Sequence, residues 1–133
     1  ALLDEKLVND VLESIAKQEG VLVPFRKGLD HFLHSNNKPE LLSDVVTDMH
    51  EALEAQAKIT AGNDKDLSAN AELFISKLNV SNEYKPILKG YISYANEFRH
   101  AAEKRQKKDP PSRRETESFI EVASVVWTAC SIP

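Results

Sequence analysis

Apolar residues recur every three or four positions along nearly the whole chain, and this spacing constrains its fold more than any other feature. On an α-helix such residues share one face, whereas a half-buried strand would show alternation at every second position. The one segment rich in β-favouring residues, 122–127, is flanked by helical spacing. The 133 residues fit a single domain. We therefore predict an all-α bundle of five or six helices over residues 1–133.

Glycine, proline and capping residues mark the predicted helix ends. Gly20 is expected to terminate the first helix, and Pro24 is acceptable in the first turn of the second. Asn37 and Glu40 resemble a capping arrangement for the third helix, and Gly62 is expected to close that helix. The predicted helices cover residues 2–18, 24 to about 35, 39–60, 66–78, 84–107 and 113 onward.

The fifth predicted helix carries an apolar stripe and continues into a basic segment. Pro110 and Pro111 must interrupt it, and Ser112 with Glu115 forms a capping box that starts the last helix. Residues 104–114 hold six basic side chains against Asp109 alone, a local charge of +5 in a chain of net charge −4. The basic residues are Lys104, Arg105, Lys107, Lys108, Arg113 and Arg114, and the stripe is Tyr84, Leu88, Tyr91, Ala95, Phe98 and Ala102.

Several functional classes are excluded by what the sequence lacks. No apolar run approaches the roughly 18 residues of a membrane span, and the first residues do not resemble a signal peptide. We therefore predict a soluble, cytoplasmic protein that makes no membrane contact. Glycine-rich phosphate loops and the motifs of classical hydrolases are absent, so no cofactor is expected. The chain does not begin with methionine, which suggests processing or a piece of a longer protein.

Other reactive side chains fit structural roles. His31 and His34 share a helix face, but no third ligand is evident nearby, so no metal site is predicted. His50 is expected on the flank of the third helix, as are Glu51 and Glu54. Cys130, on an apolar stripe, is expected to behave as a small hydrophobic side chain of the core.

Arg99 and His100 form the strongest candidate for chemistry. A guanidinium can hold a phosphate while an imidazole moves a proton, and RNA cleavage by 2′-hydroxyl attack needs these functions without a metal. The adjacent basic segment would attract phosphates whatever their sequence. The alternative is an arginine at the edge of the core that pairs with Glu103 or Glu54, next to a surface histidine.

The order of several segments is similar to a known helical family. An acidic and alanine-rich segment at 51–60 is followed by a glycine-containing turn, a short helix, the segment 84–88, the segment 97–101 with Arg99 and His100, and a final apolar helix. This order resembles the HEPN-type helical domains at the C-terminal end of bacterial abortive-infection-like proteins. The resemblance gives a HEPN-like core at 39–133 and extra N-terminal helices at 1–38.

This resemblance implies a homodimer that pairs through the face around residues 91–103. Active members resemble metal-independent ribonucleases of defence and toxin systems, whose motif is an arginine, a polar residue and a histidine a few positions later. Arg99 matches the arginine, His100 takes the polar position, and Glu54 corresponds to an acidic residue that orients the arginine. The second histidine is missing, because its expected place holds Glu103, Lys104, Arg105 and Gln106.

Three functional hypotheses follow. The first is a dimerising module of a bacterial defence or toxin–antitoxin-type protein that contacts RNA or a nucleotide without a full catalytic motif. Its partners would be RNA or a nucleotide, and an antitoxin or a fused domain. The second is a metal-independent RNA endonuclease that uses Arg99 and His100. The third is a purely structural helical interaction domain.

Overall fold

The computed structural model describes the backbone of residues 5–103 and 109–130, and the side chains of residues 5–98 and 109–130. Over these residues the chain forms six α-helices and no strand, which confirms the predicted all-α bundle. No helix within the described ranges is both long enough and apolar enough to span a membrane. The helices are α1 (Glu5–Ile15), α2 (Glu19–Leu33), α3 (Leu41–Ala61), α4 (Leu67–Ser76), α5 (Lys85–Glu103) and α6 (Arg113–Cys130), with a 3₁₀ turn at Ser35–Asn37.

Helix α3 lies at the centre of the bundle, where it contacts α2, α4, α5 and α6. Helix α1 packs mainly against α6, so the N-terminal helix belongs to the same bundle. Because α3 has neighbours on most sides, it buries several polar residues beside its apolar ones. Its buried residues are Leu42, Val45, Val46, Asp48, Met49, His50, Ala52, Leu53, Gln56 and Ala57.

The predicted start of the second helix at Pro24 is wrong. Helix α2 begins at Glu19, because the backbone N–H groups of Val21 and Leu22 both donate to the carbonyl of Gln18, at 2.9 and 2.8 Å. Gly20 therefore lies in the first turn of α2 instead of ending α1. Pro24 lies inside the helix and is buried. Its missing N–H would have bonded to the carbonyl of Gly20, which is exposed and therefore open to water.

Two predicted caps are present, at Gly62 and at Ser112 with Glu115, the cap predicted for the start of α3 is wrong, and Asp66 forms a cap that the sequence analysis did not predict. Gly62 ends α3 in a left-handed conformation with φ 71°, and its N–H donates to the Lys58 carbonyl at 2.8 Å. Asp66 caps α4, as its carboxylate accepts the Ala69 N–H at 2.8 Å. At the start of α3, however, Asn37 provides no cap, because the N-cap is Glu40 and no side chain accepts a hydrogen bond there. The predicted box of Ser112 and Glu115 is present at α6.

Helices α2 and α3 approach closely at Gly28. A Cβ atom at this position would lie 2.8 Å from Met49 Cε and 3.2 Å from Asp48 Cβ. Both distances are shorter than ordinary contacts, so the missing side chain lets the two helices pack at this separation. The same close packing brings His31, one turn further along α2, next to Asp48.

Candidate functional site

A groove between α5 and α6 is the candidate functional site, and we call it the α5–α6 groove. Its volume is about 510 Å³, which lies within the size range of small-molecule binding pockets. Among the described residues, helices α5 and α6 make few contacts with each other, so the space between their described parts stays open. The groove is lined by Ile87, Gly90, Tyr91, Tyr94, Arg114, Glu115 and Ser118.

Two tyrosines form the aromatic wall of the groove on α5. Tyr91 and Tyr94 are three positions apart, which places them on neighbouring parts of one helix face. Phe119 of α6 supports both rings: its centroid lies 5.5 Å from that of Tyr91 in a stacked arrangement, and 5.9 Å from that of Tyr94. The Tyr91 hydroxyl shares a hydrogen bond with Ser118 Oγ at 3.0 Å. These contacts hold the rings in place before any ligand binds.

Tyr94 keeps its phenolic proton at neutral pH. Burial raises the pKa of Tyr94, and the nearby carboxylates of Glu115 and Glu97 raise it further. The ring therefore presents a neutral hydroxyl group to the groove. An anionic ligand would meet no phenolate charge at this wall.

Arg114 of α6 provides a cation in the lining of the groove. Its side chain is exposed, and among the described residues it makes no salt bridge. The neighbouring Glu115 also lines the groove, and its carboxylate accepts the Ser112 N–H at 3.0 Å, while Ser112 Oγ accepts the Glu115 N–H at 3.1 Å. Hydrogen bonds from the backbone N–H and the side chain of Ser112 lower the pKa of the Glu115 carboxyl. The Arg114 guanidinium is thus exposed to solvent, from which it can meet an anion.

Arg113 has a different environment from Arg114, although the two are adjacent in the sequence. Its guanidinium lies 4.3 Å from the centroid of the Phe32 ring and donates a hydrogen bond to Ser35 Oγ. Both partners lie at the C-terminal end of α2 and in the turn that follows. Arg113 therefore attaches the start of α6 to this part of the bundle. Its predicted phosphate-binding role stays a prediction.

Most of the other predicted site residues fall outside what the structure describes. The backbone of Arg99 and His100 belongs to α5, but their side chains lie outside the described part. Lys104, Arg105, Lys107 and Lys108 lie wholly outside it. The predicted pairing of Arg99 with Glu54 or Glu51, and every role assigned to these residues, therefore stays a prediction.

Glu54 has a visible structural role. Its carboxylate accepts the backbone N–H of Leu67 at 3.1 Å, at the first residue of α4. A carboxylate at this place satisfies a free amide and interacts favourably with the positive end of the helix. Glu54 thus connects α3 to the start of α4, and its orienting role toward Arg99 is not tested by this contact.

The histidines of α2 have separate partners. His31 Nδ1 lies 2.6 Å from Asp48 Oδ2, and His34 Nδ1 lies 2.8 Å from the Asp30 carbonyl oxygen. Within the described residues, no group of three His, Cys, Asp or Glu side chains is placed to hold a metal ion. The prediction that His50 lies on a helix flank is wrong. Its side chain is 1% exposed, because α3 has neighbours on most sides.

The contribution of Asp48 to the free energy of unfolding is expected to fall as the pH rises from acidic values. Burial raises the pKa of Asp48, although the hydrogen bond and charge of His31 oppose this effect. A raised pKa means that the folded state binds the proton more tightly than the unfolded state. The resulting stabilisation is complete below the ordinary value of 3.8 and is lost as the pH rises through the raised pKa.

The variant Asp48→Asn should lack this component of the pH dependence. We expect the difference in unfolding free energy between wild type and variant to favour the wild type most at acid pH and to shrink toward neutral pH. Urea unfolding at a series of pH values measures this difference. Asp64→Asn is the control, because Asp64 is exposed and does not contribute to the pKa shift of Asp48. A difference that grows with pH would contradict the expectation.

Comparison of the chain with protein-family models, with curated proteins and with solved structures found no match.

The groove contains residues that the sequence did not single out. Tyr91 appeared only as a member of a buried stripe, and Tyr94 and Ser118 were not predicted to have any role. The signal that could have indicated the site is the pair of tyrosines, whose rings are apolar but whose hydroxyl groups favour the edge of a core. Arg114 is the one predicted phosphate-binding residue that the structure places in the groove.

Proposed function

We propose that the chain is a HEPN-like binding module that holds single-stranded RNA or a nucleotide in the α5–α6 groove, without a full catalytic motif. One observation carries the proposal: two supported tyrosine rings line the same groove as an exposed arginine that makes no salt bridge with the described residues. An aromatic surface beside an exposed cation matches the two chemical parts of a nucleotide, the base and the phosphate.

The tyrosines would bind the base. Tyr91 and Tyr94 are both partly exposed, so their rings offer apolar surface to a ligand in the groove. Stacking of one base on an aromatic side chain contributes about 1–3 kcal/mol and tolerates any base, because every base has a π-face. The volume of about 510 Å³ can admit a base with its sugar.

Arg114 would bind the phosphate. A guanidinium offers several N–H donors in a fixed plane that matches phosphate oxygens, and its charge persists at any physiological pH. The sequence between α5 and α6 contains four basic residues, Lys104, Arg105, Lys107 and Lys108. They add positive charge to the segment of the chain that precedes Arg114. Since the net charge of the chain is −4, attraction of a polyanion would be local to this part of the molecule.

The variant Arg114→Ala tests the phosphate contact. We expect it to weaken binding of a labelled single-stranded oligoribonucleotide, and to make the dependence of log K on log salt concentration shallower by about 0.7, the effect of one phosphate contact on a single strand. Fluorescence anisotropy over a range of salt concentrations measures both quantities. Arg26→Ala is the matched control, because Arg26 is exposed on α2 and lies outside the groove.

Two results would contradict the proposal. Equal effects of Arg114→Ala and Arg26→Ala would show that only the overall charge matters. If Arg114→Ala changed the molar mass of the protein in light scattering but left RNA binding unaffected, the result would show that a second copy of the chain covers the groove. The second result would favour the homodimer predicted through residues 91–103. Cleavage of the bound RNA that requires His100 would instead favour the nuclease hypothesis.

A further inference from the structure

A small polar pocket lies on another side of the bundle, where the linker between α1 and α2 meets α3 and α6. We call it the Trp127 pocket. Its volume is about 60 Å³, and it shares no residue with the α5–α6 groove. The lining residues are Ser14, Ile15, Gln18, Gln56, Trp127 and Cys130.

Two polar atoms of this pocket are buried without a hydrogen-bond partner in the described protein. One is the indole nitrogen of Trp127, a side chain that is only 1% exposed, and the other is Oε1 of Gln18. The first can only donate a hydrogen bond and the second can only accept one. Buried polar groups are almost always satisfied, so each of these atoms indicates a partner that the described residues do not provide.

Two other polar side chains of the pocket donate hydrogen bonds within their own helices. Ser14 Oγ donates to the Val11 carbonyl at 2.9 Å, and Gln56 Nε2 donates to Thr60 Oγ1 at 3.3 Å. Burial raises the pKa of the Cys130 thiol to about 12, so the thiol carries no charge at neutral pH. The pocket thus has no charged lining residue, and a ligand must be neutral, small, and able both to accept and to donate.

We propose that the Trp127 pocket binds ordered water, and that one water molecule accepts the indole N–H of Trp127 and donates to Gln18 Oε1. Water has both functions that the two atoms require. A volume of about 60 Å³ has room for about two water molecules, since each occupies about 30 Å³ in the liquid.

The bridging water would connect two parts of the bundle. Gln18 provides the carbonyl that starts α2, and Trp127 is the largest fully buried side chain of the core. A water held between them links the α1–α2 linker to α6 through hydrogen bonds. This link explains how a polar amide and an indole N–H are tolerated next to Ile15 in the interior.

Trp127 is the only tryptophan of the chain, so its indole N–H gives a single nuclear magnetic resonance signal that reports directly on the pocket. We expect a cross peak between this proton and water in a rotating-frame experiment on the ¹⁵N-labelled protein. The sign of the peak must be that of dipolar contact, which is opposite to the sign given by chemical exchange. In Gln18→Met the side chain keeps its length but loses the acceptor, and we expect the cross peak to disappear.

Lys17→Met is the matched control, because Lys17 is an exposed neighbour that does not line the pocket. It should retain the cross peak at full intensity. Absence of a dipolar cross peak in the wild type would overturn the proposal, and so would an unchanged peak in Gln18→Met. A crystal structure of the wild type gives a test that needs no variant. It should show a water within about 3.2 Å of both atoms, and a dry pocket would overturn the proposal.

Discussion

Replacement of Tyr94 by leucine is expected to weaken binding of single-stranded RNA by about tenfold. The stacking contacts of about 1–3 kcal/mol that have been measured correspond to losses of about fivefold to 150-fold. Leucine keeps an apolar side chain against Phe119, whose ring centroid lies 5.9 Å from that of Tyr94. It offers no flat π-surface to a base. The loss should therefore appear in binding and be much smaller in folding stability.

The control for this prediction is Tyr84→Leu. Tyr84 is a partly buried tyrosine that packs against the core near the start of α5 but does not line the groove. Both variants lose one aromatic ring from the same region of the chain, so a general effect on α5 would appear in both. Anisotropy titrations with a short oligoribonucleotide and with a mononucleotide give the two affinities. Equal affinities of Tyr94→Leu and Tyr84→Leu would remove Tyr94 from the binding site.

Tyr94→Leu and Arg114→Ala together separate the two parts of the proposed ligand. Loss of the ring should weaken binding at every salt concentration, because stacking involves no counterion. Loss of the guanidinium should weaken binding most at low salt, because each phosphate contact releases bound counterions. If both side chains contact one bound nucleotide, the double variant should show two effects together. Its affinity should have the salt dependence of Arg114→Ala, and it should be lower at every salt concentration by the loss that Tyr94→Leu causes.

The helical architecture could be predicted because it depends on local signals. Apolar spacing, the glycine at position 62 and the Ser112–Glu115 box each act within a few residues, and each corresponds to an observed helix or helix end. The start of α2 was missed because Pro24 is compatible with a first turn, while the residue that starts the helix is Gln18, which offers only a backbone carbonyl. A backbone acceptor leaves no mark in the side-chain sequence.

The groove could not be predicted because it depends on the packing of distant residues. Tyr91 and Ser118 are far apart in the sequence, yet their hydroxyl groups lie 3.0 Å apart. Arg113 and Arg114 contribute equally to the basic segment, but one side chain lies over Phe32 and the other lines the groove. Their different roles follow from the direction in which each leaves α6, which is fixed only when α6 packs against α2 and α5.

The second large effect is expected from Trp127→Ala, which should lower the free energy of unfolding by about 3–5 kcal/mol. Trp127 is 1% exposed, and its ring meets that of Phe25 in an edge-to-face contact with centroids 5.1 Å apart. This contact joins α6 to α2 across the core. Alanine would leave a cavity that the surrounding helices can only partly close, so both the buried area and the aromatic contact would be lost.

Urea unfolding followed by circular dichroism measures this loss without the tryptophan signal. Leu33→Ala is the control, since Leu33 is 68% exposed and its removal should change stability by no more than about 0.5 kcal/mol. A loss below about 1 kcal/mol in Trp127→Ala would contradict the placement of this ring in the core. A small domain is stabilised by only about 5–15 kcal/mol, so the predicted loss is large enough to leave the variant partly unfolded near physiological temperature.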